Sequence, residues 1–129
     1  KEHGKKTMKS FILSIIIFSA LLAGISVNSI YVSNFSDKLT ELAEAFPADR
    51  IPDSDRTIEQ LKDFWRKNEP FIMLTNDHTK IHEVYHHIQS LEAALISGSY
   101  PLYTEARLAI LESAKAFKEF DTFSLVGVL

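Results

Sequence analysis

His82-Glu83-Val84-Tyr85-His86 is the one stretch of this chain whose residue types and spacing could do chemistry at a metal. On a helix, histidines four apart share a face and can both bind zinc, and the glutamate between them can take a proton from the metal-bound water. Those are the parts of a zinc-dependent metallopeptidase, with His82 and His86 as metal ligands and Glu83 as the catalytic base. Zinc needs a third protein ligand as well. No Gly-x-x-His extension follows, and Glu92, Glu105 and Glu112 are only generic candidates. The pattern of the remaining chain also offers no strand against which a peptide substrate could be laid.

The helix that would carry these residues tells against the chemistry. At about 100° per residue, with Ile88 at the centre of the apolar face, His82 lies about 120° from that centre and His86 about 160° from it. Both imidazoles therefore face solvent, whereas a catalytic zinc sits in a walled pocket that controls water. The expectation is a polar helix face that happens to contain histidines, with no catalytic residue, no cofactor and no metal. Two alternatives stand beside it. One is the zinc hydrolase. The other is a metal- or pH-responsive sensor using His78, His82, His86 and His87, because imidazole titrates near neutrality. His78 falls at the edge of the apolar seam and is read as a hydrogen-bonded packing histidine rather than a ligand. Trp65, Phe64, Phe71 and Tyr85, at helical spacing, are read as core rather than as the lining of a ligand pocket. There is no Gly-rich phosphate loop, and no Ser, His and Asp stand in a spacing that suggests a triad. The chain has no cysteine, which excludes disulfides, a thiol nucleophile and thiolate metal sites.

The rest of the chain is organised around residues 11–32, FILSIIIFSALLAGISVNSIYV, from Phe11 to Val32. Residues 11–27 carry no charge, and their only polar side chains are Ser14, Ser19 and Ser26. At a rise of about 1.5 Å per residue, the full stretch supplies the roughly 20 residues a helix needs to cross a bilayer core. A retained anchor in the lipid bilayer is the preferred reading. A cleaved signal peptide is the alternative; its best site, Gly24-Ile25-Ser26, lacks the usual alanines and falls inside the apolar run. Ala20, Ala23 and Gly24 would let a second helix approach closely. Met8-Lys9-Ser10 reads as a natural start, which makes residues 1–7 an upstream extension, disordered in the cytosol.

Charge orients the anchor. Lys1, Lys5, Lys6 and Lys9 precede the apolar run, opposed only by Glu2. Beyond Val32 come ten Lys/Arg against sixteen Asp/Glu, a net of −6. Basic flanks stay in the cytoplasm, so the acidic remainder is expected outside. That acidity also argues against nucleic-acid binding, whose footprint is a basic patch.

Periodicity places helices beyond the anchor. Phe35, Leu39, Leu42 and Phe46 recur at spacings of four, three and four, so the anchor helix runs on as a rigid stalk until Pro47 and the turn-rich residues 48–53. A second helix is expected from Asp53 or Ser54, with Ile58, Leu61 and Trp65 as its first apolar face. Pro70 is expected to kink it, or the region divides into two abutting helices near Pro70 or near Thr75-Asn76-Asp77. The apolar seam is read onward as Phe71, Leu74, His78, Ile81, Tyr85, Ile88, Leu91 and Leu95. Ser97-Gly98-Ser99 closes the element. The last helix opens at Ser99 or Tyr100 with Pro101 in its first turn. Its face is Leu102, Ala106, Ala109, Ile110, Ala116, Phe117 and Phe120, widened by Leu108 and Leu111. The apolar tail, residues 123–129, is expected to fold back onto the helices.

Taken together, the basic start, the single anchor, Leu61-x-x-x-Trp65, His78-x-x-Ile81, a following helix and a C-terminal Ser124-Leu125 resemble a family of short, membrane-anchored helical proteins of unknown function from Gram-positive bacteria. The likeness spans most of the chain from Met8. Where that family tends toward Ser-Leu-x-Asn-Ile-Leu, this chain has Gly127 in place of the asparagine. The resemblance implies the topology and the helical fold, and no activity.

The chain is thus expected to be all-α: an N-terminal transmembrane helix continuing into a small antiparallel helical bundle. Residues 1–10 form the cytoplasmic basic N-terminus, 11–32 the anchor and 33–129 the extracytoplasmic domain. The expected role is that of a non-enzymatic interaction or accessory protein at the outer face of the cytoplasmic membrane. Its partner would be another membrane or envelope protein, or a second copy.

Overall fold

Val32, Phe35, Leu39, Leu42, Ala43 and Phe46 are all buried, as a stripe recurring every three or four residues requires when it faces a core. The computed structural model describes residues 2–53 and 55–128, and side chains from residue 4 to residue 119 apart from those at 54 and 75. Among these residues the chain forms four helices and no strand: α1 Glu2–Glu44, α2 Arg56–Thr75, α3 His78–Ser97 and α4 Tyr100–Val128. The protein is all-α.

The helix α1 is unbroken over 43 residues. It includes residues 2–7, which therefore continue the helix instead of lying disordered; extending a formed helix by a turn needs no new nucleus. Its N-terminal half is apolar and exposed on all sides, including Phe11, Ile16, Phe18, Leu21 and Val27. That half is long and apolar enough to cross a membrane, a test that a signal sequence also passes. The C-terminal half is the buried stripe. One helix thus serves both regions, as the seam from Phe35 to Phe46 requires.

Each helix packs on its neighbours in sequence, α4 returns to pack on α1, and among the described residues the diagonal pairs make no close backbone approach. This is a square up-down-up-down bundle. Tyr31 and Phe35 of α1 meet Asn68 and Phe64 of α2, in reversed order. Lys118 of α4 reaches Asp37, while Arg107 reaches the carbonyl of Phe46. Both pairings are antiparallel. Small residues let α1 and α4 approach closely: Ala43, Ala106 and Ala114 are buried, and the buried Ser36 donates its hydroxyl to the Ala114 carbonyl.

The carbonyls of Phe46, Pro47 and Ala48, in the turn after α1, lie beyond the helical ladder. Side chains of α4 supply their donors. Tyr103 Oη donates to the Pro47 carbonyl at 2.6 Å, Tyr100 Oη to the Ala48 carbonyl at 2.9 Å, and Arg107 Nε to the Phe46 carbonyl at 2.8 Å. Tyr103 is fully buried although the expected α4 face omits it. The phenol carries its apolar ring into the core while its hydroxyl finds a partner.

The helix α2 begins at Arg56, after Asp55, rather than at Asp53 or Ser54, and Asp55 makes no side-chain cap; Ser54 lies outside the described residues. Ile58, Leu61 and Trp65 are buried as expected. The helix runs on through Pro70 to Thr75, and the division falls at Asn76-Asp77, the second of the two expected places. Pro70 lies on an exposed face, where water can take the backbone acceptor that proline leaves without a donor. Because the helix is continuous, its phase is not reset. Ile72, seven residues after Trp65, is buried, whereas Phe71 and Leu74 are 62% and 81% exposed. The expected seam was off by one position there. It was off again in α3, where Val84 rather than Tyr85 is buried with Ile81, Ile88, Leu91 and Ala94.

Asp77 caps α3 by accepting from the Thr79 amide at 2.9 Å. Gly98 ends it with φ of 70°, a left-handed conformation that a side chain would strain. In α4 the buried stripe is Tyr103, Ala106, Ile110, Ala114 and Phe117. Leu102, Leu108 and Ala116, expected on that face, are exposed. Phe120 and the side chains of the tail lie outside the described ones. The backbone of the tail continues as α4 to Val128 instead of turning back.

Two tests follow from this packing, both on the full chain in detergent. Ile72→Ala is expected to destabilise the bundle by about 2–5 kcal/mol and Phe71→Ala by less than about 1 kcal/mol, measured by denaturant unfolding; the reverse ranking would mean that α2 breaks at Pro70. The second concerns alkaline pH. Burial pushes the Tyr103 phenol above its ordinary 10.0, and the hydrogen bond from Lys62 to Glu92 raises the Lys62 ammonium above 10.5. The folded state therefore holds both protons where the unfolded chain has lost them. Their stabilisation is complete below pH 10.0 and declines as pH rises past 10.0 and then 10.5, until each folded value is passed. Melting temperatures should fall across that window, and less steeply in Tyr103→Phe.

Candidate functional site

The His-Glu-x-x-His residues all lie on α3, as the motif needs. The buried seam of this helix is Ile81, Val84, Ile88, Leu91 and Ala94, and the motif residues are distributed around it. His82, Glu83 and His86 are exposed. His82 lines a cleft between α2 and α3, together with Trp65, Arg66, Glu69 and Tyr85. Glu83 lines a different groove, between α3 and α4, with Val84, Ser113 and Phe117. The imidazole and the carboxylate that would share one metal-bound water therefore open onto opposite flanks of the helix. His86 stands with its ring 6.3 Å from that of His87.

Among the described residues, no three of His, Cys, Asp and Glu come together in a way that could hold a metal ion. Glu92 is engaged elsewhere, accepting from Lys62 Nζ at 2.7 Å and so bridging α3 to α2. Lys62 also lies 3.7 Å from Glu59. His78 sits at the start of α3, exposed, with Nε2 3.0 Å from the Met73 carbonyl. It is hydrogen-bonded, as expected, but it caps the end of α2 from an exposed position and does not pack into the seam.

The α2–α3 cleft has an open volume of about 400 Å³. Its basic groups face carboxylates of the same chain: Lys62 pairs with Glu92, and Arg66 with Asp63 at 3.4 Å. Trp65 is buried, and its indole N–H has no hydrogen-bond partner among the described residues. Of the aromatic residues read as core, Trp65 is buried and Phe64 partly so, whereas Phe71 and Tyr85 are exposed. The cleft offers a surface of mixed charge, without a base held against a nucleophile.

The polar contacts between helices that sequence reasoning does not reach include Ser36 to Ala114, Tyr31 to Asn68, and Lys62 to Glu92. Ser36 had a visible signal. It falls in the spacing Val32, Ser36, Leu39, Ala43, Phe46, where a small residue on the buried stripe marks close helix approach. The other two are long-range pairings that no local pattern announces.

Comparison of the chain with protein-family models, with curated proteins and with solved structures found no match.

The separation of His82 from Glu83 has a direct test. The full chain, dialysed against micromolar zinc and analysed by elemental mass spectrometry, is expected to hold no stoichiometric zinc. His82→Ala/His86→Ala is expected to unfold within about 0.5 kcal/mol of the parent, as exposed substitutions do. One zinc per chain, lost in the double variant, would restore the hydrolase reading.

Proposed function

We propose that the chain is a membrane-anchored, non-enzymatic interaction protein, with the N-terminal half of α1 retained as a single-pass anchor. The basic flank of Lys5, Lys6 and Lys9 holds the N-terminus in the cytoplasm, and the acidic bundle stands at the outer face of the cytoplasmic membrane. The likeness to short membrane-anchored helical proteins of Gram-positive bacteria agrees with that placement. The partner is another membrane or envelope protein, or a second copy of the chain.

The observation that carries this reading is the continuity of α1. The exposed apolar half and the buried stripe belong to one helix with no intervening linker. A bundle joined in this way holds a fixed height and orientation above the bilayer. Such placement suits a protein that presents a face to neighbours in the same membrane. The geometry around His82 and Glu83, which open onto different grooves, lends the hydrolase alternative no support.

The test is chemical cross-linking in intact cells followed by detergent extraction and affinity purification of the full chain. A discrete cross-linked species, either a dimer or a complex with one recurring membrane protein, is the expected outcome. A monodisperse monomer without cross-linked partners would overturn the proposal.

A further inference from the structure

The position of α2 along α1 places an exposed apolar pair where water should not be. Asn68 accepts a hydrogen bond from Tyr31 Oη at 2.9 Å, and its own Nδ2 donates to the Phe64 carbonyl at 2.9 Å, so the register of α2 against α1 is held at that level. The two helices are antiparallel. At about 1.5 Å per residue, Phe71 lies about 4.5 Å and Leu74 about 9 Å beyond Asn68 toward the N-terminal half of α1, level with residues near 28 and 25.

Exposed apolar side chains of α1 extend from Phe11 to Val27 and Ile30. From Met8, which is also exposed, to residue 25 is about 26 Å of helix, close to the thickness of a bilayer's hydrocarbon core, and the polar Ser26, Asn28 and Ser29 follow it. The lipid boundary on the bundle side therefore falls near residue 25, below the level of Phe71 and at that of Leu74. Phe71 and Leu74 are 62% and 81% exposed and off the buried seam.

We propose that the α2–α3 end of the bundle is seated in the headgroup layer of the bilayer leaflet from which α1 emerges, with Phe71 and Leu74 projecting among the lipids. The inference rests on the reading of α1 as an anchor and adds a second, peripheral contact with the same bilayer. Were this end in water instead, Phe71, Leu74, Val27 and Ile30 would all be solvated together, which costs apolar area at about 25 cal/mol per Å².

The construction of the turn agrees. A helix end that enters a lipid interface needs partners for its last carbonyls, because little water is available to them. In α2, Asn76 Nδ2 donates to the Ile72 carbonyl at 3.1 Å, and His78 Nε2 lies 3.0 Å from the Met73 carbonyl. The first turn of α3 is capped by Asp77. Asp77 and Lys80 also limit the depth. Their charges keep the tip within the headgroup layer, about 5–7 Å thick on each side, and do not let it enter the hydrocarbon. The other descending helix reaches the same level: Lys118 of α4 pairs with Asp37 at 3.0 Å, and α4 continues to Val128, about 15 Å farther.

The absence of cysteine allows single-site labelling. Ile16→Cys, Phe71→Cys, Leu74→Cys and Ile96→Cys, each in the full chain, would carry an environment-sensitive fluorophore in vesicles of phosphatidylcholine and phosphatidylglycerol. Quenching is read from aqueous iodide and from lipids bearing a nitroxide at the headgroup or deep in the acyl chain. Ile96, 83% exposed at the opposite end of the bundle, is the aqueous reference. The expected result is deep acyl quenching at position 16, with headgroup quenching at 71 and 74 and several-fold less iodide quenching there than at 96. Deep quenching at 16 with iodide access at 74 equal to that at 96 would overturn the seating and leave the anchor standing. Iodide access at 16 would overturn both.

Discussion

Phe35 is the contact on which the bundle depends. Its ring lies 5.3 Å from Phe64 and 6.1 Å from Trp65 of α2, 5.7 Å edge-on from Phe117 of α4, and 6.4 Å from Tyr31 one turn back on α1. One side chain thus ties three helices together at a single level. The fourth, α3, lies diagonally across from α1, and among the described residues its backbone packs closely only on α2 and α4. Its position is therefore set at second hand, by whatever fixes those two against the Phe35 ring. The polar contacts lie around this point: Ser36 follows it in sequence and bonds α4, and Tyr31 bonds α2. Hydrophobic burial supplies the attraction there, and the hydrogen bonds select the register.

Much of this could be read from the chain because the signals are local. The seam of α1, the Gly98 stop, the Pro101 start and the turn after Pro47 each depend on residues within a few positions of one another. What could not be read depends on phase. With Pro70 read as a kink or a division, the apolar residues after it are free to start a new register, and Phe71 and Leu74 look like its beginning. The solvated face of Pro70 keeps α2 whole, so Ile72 continues the phase of Trp65 and the two neighbours turn outward. The same one-residue ambiguity exchanged Tyr85 for Val84. In both places a large apolar or aromatic residue stood next to a smaller one, and size is a poor guide to which of two adjacent helical positions faces inward. Tyr103 and Ser36 escaped for another reason: a polar atom can be buried wherever a carbonyl awaits it, and those carbonyls belong to distant segments.

The candidate site follows similar logic. Angular position alone shows His82 and His86 away from the Ile88 face, and the exposure of both agrees with it. The same reasoning cannot show that His82 and Glu83 open onto different grooves, since that depends on which helices flank α3. Adjacent residues on a helix are about 100° apart. When neighbours pack on both sides of an exposed strip, that angle is enough to send two consecutive side chains into separate clefts. A five-residue motif has the correct internal geometry on any helix. Whether it becomes a site depends on the walls, and here the walls divide it.

The unbroken α1 constrains the remainder of the architecture. A bundle joined to an apolar helix by a flexible linker can choose its height above a bilayer; one that shares the helix cannot. The level at which α2 and α4 meet α1 is set by Tyr31, Phe35 and Asp37, which follow directly on the apolar run. Any helix that continues past that level must descend beside the apolar half. The polar groups of the α2–α3 turn are satisfied within the turn, by Asn76, Asp77 and His78, whereas the exposed side chains just before it are apolar. At the opposite end the turn after α1 relies on tyrosine and arginine side chains reaching across from α4. The two ends of the bundle are thus built differently. The end beside the apolar helix caps carbonyls of α2 from its own turn and exposes Phe71 and Leu74 just before it, whereas the opposite end borrows its donors from α4.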